Sequence, residues 1–257
     1  MTGAGESRPF AEARAAVLEA IAAACTHVGR DPATVRLIAV TKTVTPDRIR
    51  EALAAGHREF GENRVQELAA KAAELTEATW HLVGPLQSNK ARRAVEAATV
   101  IQTVDSVGLA ERLDRIVRDV RGLPSEGPVE NRRSLAVLIQ VNVDDDPAKA
   151  GFAPAELANA LPRIAGLEAL RIEGLMTIGR QHAEAEEARP TFRALAELGR
   201  RLRDGEPRLG PDLSMGMSDD YEVAVEEGAT IVRVGRALFG ERPDHHHDHP
   251  AGADRSH

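Results

Sequence analysis

One cysteine, Cys25, is present in 257 residues, so no internal disulfide can form, and nothing in the chain has the Cys and His spacing of a zinc site. Small stapled folds are thereby excluded, and a reducing cytoplasm is the expected location. No run approaches the ~20 apolar residues that a bilayer span needs. The Ala-rich stretch AEARAAVLEAIAAAC is interrupted at helical spacing by Glu12, Arg14 and Glu19, which marks an amphipathic helix rather than the core of a signal peptide. A long basic run is missing too. With a net charge of −7 and a pI near 5.8, the chain offers no electrostatic footprint for nucleic acid or for an anionic membrane surface.

Lysine is the most informative scarcity. Of 33 basic residues only Lys42, Lys71, Lys90 and Lys149 are lysines. Arginine carries the generic positive charge, so a retained lysine is a candidate for chemistry a guanidinium cannot do, because an amine can lose its proton and become a nucleophile. Lys71 falls on a helical segment expected to be exposed and is read as incidental. Lys42 is different. It closes the apolar run VRLIAVTK, and period-two counting puts it on the same face as Ile38 and Val40. An amine among apolar walls has its charged form disfavoured, which frees the neutral nucleophile. The alternative is a lysine that reaches out at the rim or pairs with Glu62.

Short β-branched runs alternate with Ala, Leu, Glu and Arg-rich helical segments along the chain. Strands are expected at 35–42, 58–62, 79–84, 99–105, 135–143, 170–178, 212–216 and 230–235, after a first helix over about 7–29. Thr45 with Pro46, Pro154 with Glu156, and Asp219 with Glu222 read as helix starts. With 42% hydrophobic residues the chain can bury one large core. Eight β/α units in this length predict a single (β/α)8 TIM barrel with an extra N-terminal helix, over residues 1–242. An open doubly wound sheet is the competitor, weakened because no G-x-G-x-x-G follows the first strand. The Gly, Pro and charge-rich stretch 121–134 joins a helix to a strand on the barrel's stability face and receives no chemistry. Residues 243–257 hold five of the nine histidines without large apolar partners and read as a disordered tail.

Chemistry in such a barrel gathers at the C-terminal strand ends. Lys42, Glu62, Asn63, His81, Gly84, Asn142, Asp144, Met176, Thr177, Ser214, Gly216, Ser218, Arg233, Gly235 and Arg236 all fall there. Loops seven and eight offer Ser218, Gly216 and Gly235 for a phosphate, with Asp219 and Asp220 as awkward neighbours; Ser218 and Asp219 as plain helix caps are the alternative. On the eighth strand Ile231, Arg233 and Gly235 share one face. If that face is inward, Arg233 needs a partner, either a pyridine nitrogen or a carboxylate inside the barrel.

The segments AVTKT, FGENRVQE, WHLVGPLQSNK, VNVDDDPAKAGF, GLMTIG and LSMGMSDDYEVAVEEGATIVRVGRALFGER closely resemble the pyridoxal phosphate homeostasis proteins, the YggS/PROSC-like family, over roughly residues 10–242. The resemblance implies an alanine racemase N-terminal-type barrel holding pyridoxal 5'-phosphate as an internal aldimine on Lys42. By the same resemblance Ser218 and Gly235 are phosphate ligands, Arg233 partners the pyridine nitrogen, and Asn63, His81 and Met176 line the pocket. Lys149 matches a family lysine near the barrel mouth. The implied protein is a non-catalytic, monomeric carrier that releases the cofactor to apo enzymes, with no catalytic residues and no metal. A racemase is the second reading, but its second acid/base would have to be Tyr221, the only tyrosine. An aldolase using Lys42 without cofactor is the third.

Overall fold

A computed structural model describes residues 8–130, 133–180 and 183–240. The His-rich stretch 243–257 lies outside them. Eight parallel strands close in sequence order: β1 (Arg36–Val40), β2 (Glu59–Glu62), β3 (Thr79–Leu82), β4 (Val100–Val104), β5 (Leu135–Gln140), β6 (Leu170–Met176), β7 (Asp212–Ser214) and β8 (Ile231–Val234). Closure is made by β8 returning to β1, with Ile38 opposite Arg233. No sheet edge is left open.

Alternation along each strand divides the apolar residues between two cores. On β1, Leu37 and Ala39 point outward into the large cluster under the helices. Ile38 points inward, against Val100, Ala136, Leu138, Met176 and Ile231. On β8, Val232 and Val234 go outward while Ile231 joins the inner set and Arg233 is buried with it. The expected extra helix is α1 (Phe10–His27), whose Phe10, Ala13, Val17, Ile21, Ala24 and Cys25 recur every three or four residues and are buried. No helix of the described residues is long and apolar enough to cross a membrane.

All eight strands lie where the sequence pattern puts them, but most end earlier than expected at the C-terminal side. β1 stops at Val40 rather than Lys42, and β7 at Ser214 rather than Gly216. The residues left over bend away from the ladder to build loops, which β-propensity alone does not register. Two helix starts also match in part. Pro46 and Pro154 occupy first-turn positions of α2 (Pro46–Ala54) and α6 (Pro154–Ala165), and Glu156 accepts the Ala153 N–H at 3.3 Å. Asp219 does not cap. The helix that follows, Tyr221–Glu226, begins two residues on, and Asp220 Oδ1 instead accepts the Met217 N–H at 2.6 Å, closing the loop after β7.

The backbone crossing after β3 is tight. A Cβ on Gly84 would sit 2.1 Å from the Asn63 carbonyl oxygen, an overlap with main chain that no rotamer relieves. Gly84→Ala should therefore destabilise the fold by about 3 kcal/mol in urea unfolding, at the upper end of the overpacking range, by forcing the loops after β2 and β3 apart.

Candidate functional site

Lys42 sits in a turn at the C-terminal end of β1. The ladder continues for one residue past the strand, where the Thr41 N–H bonds the Gly61 carbonyl at 2.9 Å, and the chain then folds back with the Val44 N–H on the Thr41 carbonyl at 2.9 Å. Lys42 and Thr43 are the two central residues of that turn. Thr43 adopts φ 67°, which a β-branched residue rarely does. The turn is thus held in a costly conformation at the residue next to the amine. Half-buried, Lys42 lines a cavity of about 190 Å3 together with Val40, Gly235, Arg236 and Phe239.

The rest of the lining comes from the segment after β8, to which the loop after β7 is bonded. The Gly235 N–H donates to Ser218 Oγ at 3.2 Å, joining the two loops at the residues expected to cradle an anion. Gly216, at φ 86°, brings its loop down onto the following helix: a Cβ there would lie 2.6 Å from Ala224 Cβ. Asp219 is turned to an ion pair with Arg236, so its charge is countered. Tyr221 is buried in the outer core, and burial raises its hydroxyl pKa. Its work is packing.

Beneath the cavity, Arg233 is buried inside the barrel with neutral partners. Its Nη1 donates to Ser214 Oγ at 2.7 Å and its Nη2 to the Thr177 carbonyl at 2.8 Å. Burial pushes this guanidinium down to about 10, with the Asp220 charge acting the other way. Such a shift corresponds to about 3 kcal/mol of unfavourable burial at neutral pH. The hydrogen bonds do not stop there. Ser214 Oγ donates to Gln102 Oε1 at 2.6 Å, Gln102 Nε2 donates to His81 Nδ1 at 3.0 Å, and His81 Nε2 meets Glu59 Oε2 at 2.5 Å. A polar chain therefore crosses the interior from β8 to β2. Burial pushes the Glu59 carboxyl up, but the hydrogen bond from His81, together with the charge of Arg36, outweighs it, and the net pKa lies below the ordinary value.

Of the residues singled out from sequence, Lys42 and Gly235 line the cavity, Ser218 is bonded to its wall, and Arg233 and Met176 lie in the inner layer below. Asn63 is half-buried where its backbone abuts Gly84. His81 stands apart: it lines a second cavity near the N-terminal strand ends and reaches Arg233 only through Gln102 and Ser214. Lys149 Nζ donates to the Ile178 carbonyl at 3.1 Å. Gln102 was not singled out, although a glutamine two residues after Val100 in TVIQTVD is visibly a polar group on an inward face.

The expectation for Lys71 is corrected. It is buried, not exposed, and its Nζ reaches Glu62 Oε1 at 2.6 Å and the Thr41 carbonyl at 2.8 Å. Thr41 Oγ1 also donates to Glu62 Oε1 at 2.6 Å, whereas Glu62 Oε2 has no partner among the described residues. Helical periodicity placed Lys71 correctly on α3 (Val65–Glu74) but could not say that α3 presents that face to the end of β1. Glu62 is thus engaged by Lys71, and the residue before Lys42 is clamped from two sides.

Known proteins resemble this chain in sequence and in fold. The family model described as alanine racemase, N-terminal domain, matches residues 15–243. A pyridoxal phosphate homeostasis protein of Pseudomonas aeruginosa is 44% identical over 236 residues, covering 91% of this chain and 96% of that protein, and one of Escherichia coli is 40% identical over 233 residues, covering 89% and 94%. Among solved structures, PipY of Synechococcus elongatus with PLP bound superposes with a TM-score of 0.76 at 43% identity, over 90% of this chain and 100% of that one. An alanine racemase of Clostridium difficile shares the fold at a TM-score of 0.65 and 14% identity, and this chain covers 60% of it.

Lys71→Met leaves the Glu62 carboxylate buried without its cation and should cost about 3–5 kcal/mol in urea unfolding. The double variant Lys71→Met/Glu62→Gln should recover part of that loss. Glu59 contributes stability that is present above the unfolded carboxyl pKa and is lost as pH falls through its lowered folded value. Glu59→Gln should therefore flatten the drop in urea midpoint between about pH 5 and 3.

Proposed function

The chain belongs to the pyridoxal phosphate homeostasis protein family, within the alanine racemase N-terminal domain group, and from that premise we propose that it binds pyridoxal 5'-phosphate on Lys42, limits the free aldehyde and passes it to apo enzymes. The observation that carries this reading is that the turn-mounted Lys42 and Gly235 line one cavity, with Ser218 hydrogen-bonded to Gly235 and the buried Arg233 two residues before it on the same strand. These residues fit the cofactor. Held there, it would supply an electrophilic aldehyde carbon within the reach of a nucleophilic amine such as that of Lys42.

The remaining roles belong to the protein. Ser218 Oγ and the Gly235 amide are read as neutral donors to a phosphate once the bond between them opens, and the Arg236–Asp219 pair keeps the adjacent carboxylate from repelling it. Arg233 is read as the partner of the ring nitrogen. A guanidinium donates a hydrogen bond there without giving up a proton, so the ring is a weaker electron sink than with a carboxylate partner. Met176 and Asn63 are read as the apolar floor and the side wall. His81 is read as acting through Gln102 and Ser214, which fix the hydrogen-bond direction at Arg233. The proposal is a cytoplasmic, monomeric carrier over residues 1–242.

An amino-acid racemase is the competing reading because the fold is shared with one. It requires a second acid/base across from Lys42, and Tyr221 is spent on packing. The carrier reading follows from Arg233 and Tyr221 together.

Purified protein loaded with pyridoxal phosphate should absorb in the visible, lose that band on borohydride reduction, and stay colourless as Lys42→Ala. Mixing the loaded protein with an apo enzyme should restore that enzyme's activity. Sustained interconversion of L- and D-amino acids would defeat the carrier reading, and a colourless wild type after loading would defeat the site.

A further inference from the structure

The barrel has a second opening. At the N-terminal strand ends lies a cavity of about 560 Å3, against about 190 Å3 beside Lys42. Four guanidinium groups line it, from Arg36 at the start of β1, Arg121 just after the helix Val107–Val120, Arg133 before β5, and Arg171 on β6. This gathering is not needed to close the barrel.

The four are not equally satisfied. Arg36 pairs with Asp212, and Arg171 with Glu173. Arg121 and Arg133 have no carboxylate within salt-bridge distance among the described residues. Each spends one amine on the other's backbone: Arg121 Nη1 donates to the Arg133 carbonyl at 2.7 Å and Arg133 Nη2 to the Arg121 carbonyl at 2.6 Å. That reciprocal clamp fixes both guanidinium groups at the cavity while leaving most of their donors unspent. Burial, and then the like charge of Arg171, push the Arg121 guanidinium below its ordinary value. Two cations without counter-ions, held beside two more, repel one another in a partly desolvated space. Only an anion of more than one charge removes that repulsion for both.

The floor narrows the chemistry further. Leu138 and Ile231 close the cavity toward the barrel axis, so an organic body of modest size is tolerated behind the charged group. Guanidinium groups that line one cavity from two strands and two loop positions suit a tetrahedral dianion better than a single planar carboxylate. We propose that the N-terminal mouth of the barrel is a second ligand site, taking a small phosphate-bearing polyanion between Arg121, Arg133 and the paired Arg36 and Arg171. The stretch 121–134, which the sequence reading left without chemistry, supplies two of its four cations. The site is separate from the Lys42 cavity and does not rest on the proposed carrier function.

Pyrophosphate is the probe, titrated by calorimetry and thermal shift into the cofactor-loaded full chain and into Lys42→Ala, at constant ionic strength. Saturable binding of about one equivalent is expected in both, with a rise in Tm. Arg133→Gln should weaken it about tenfold, the effect of losing one charge-assisted contact, and Arg121→Gln/Arg133→Gln should weaken it further. The exposed control Arg92→Gln should change nothing. Circular dichroism and an unchanged visible band identify variants that remain folded and loaded. Arg133→Gln, a change at an exposed residue, keeps the test open if the double variant does not fold. Equal binding by Arg133→Gln and wild type would overturn the proposal, since the anion would then be held elsewhere, such as the Ser218 cradle. So would the absence of saturable binding.

Discussion

The Arg233 guanidinium is buried inside a closed barrel, where among the described residues it bonds a hydroxyl and a main-chain carbonyl, and the polar side chains of the interior are arranged around satisfying it. A barrel bore is normally filled by layers of branched apolar side chains. Here one layer is given over to Ser214, Gln102 and His81, each passing a hydrogen bond to the next until Glu59 receives the last. Neutral relays separate the cation from the carboxylate. The guanidinium consequently keeps a charge that a direct Arg–Glu contact would have cancelled.

A second buried polar group works on the neighbouring strands. Lys71 and Glu62 do not face the cavity, yet together they grip the carbonyl and the hydroxyl of Thr41. Thr43, two residues on, holds a backbone conformation that its side chain disfavours. A strained turn persists only where its surroundings over-determine it. The clamp on Thr41 supplies that restraint on the strand side, and it explains why a lysine scarce elsewhere is retained at position 71: a slender stem with a compact charge enters a space where a planar guanidinium would need more room.

Much of this was legible before any coordinates. Period two placed Ile38, Arg233 and Ile231 inside, and the count of β/α units gave the barrel, because both depend on local geometry that repeats. Loop position put Ser218 and Gly235 forward together, and the bond between them shows that those two loops meet. What escaped notice depends on which elements meet. Lys71 looked exposed because a helix pattern shows two faces but not the neighbour of each, and the bonds of His81 to Gln102 and Glu59 depend on which strands meet. The arginines at 121 and 133 lie twelve residues apart in a loop, and nothing local reveals that each is bonded to the other's backbone.

The relay behind Arg233 also limits what could stand in its place. A carboxylate there would offer no N–H to the Thr177 carbonyl and would leave Ser214 Oγ without the donor it now accepts from. Two interior acceptors would lose their partner at one stroke, so position 233 is tied to the side chains around it and an acid could settle there only if another interior group supplied the missing donors.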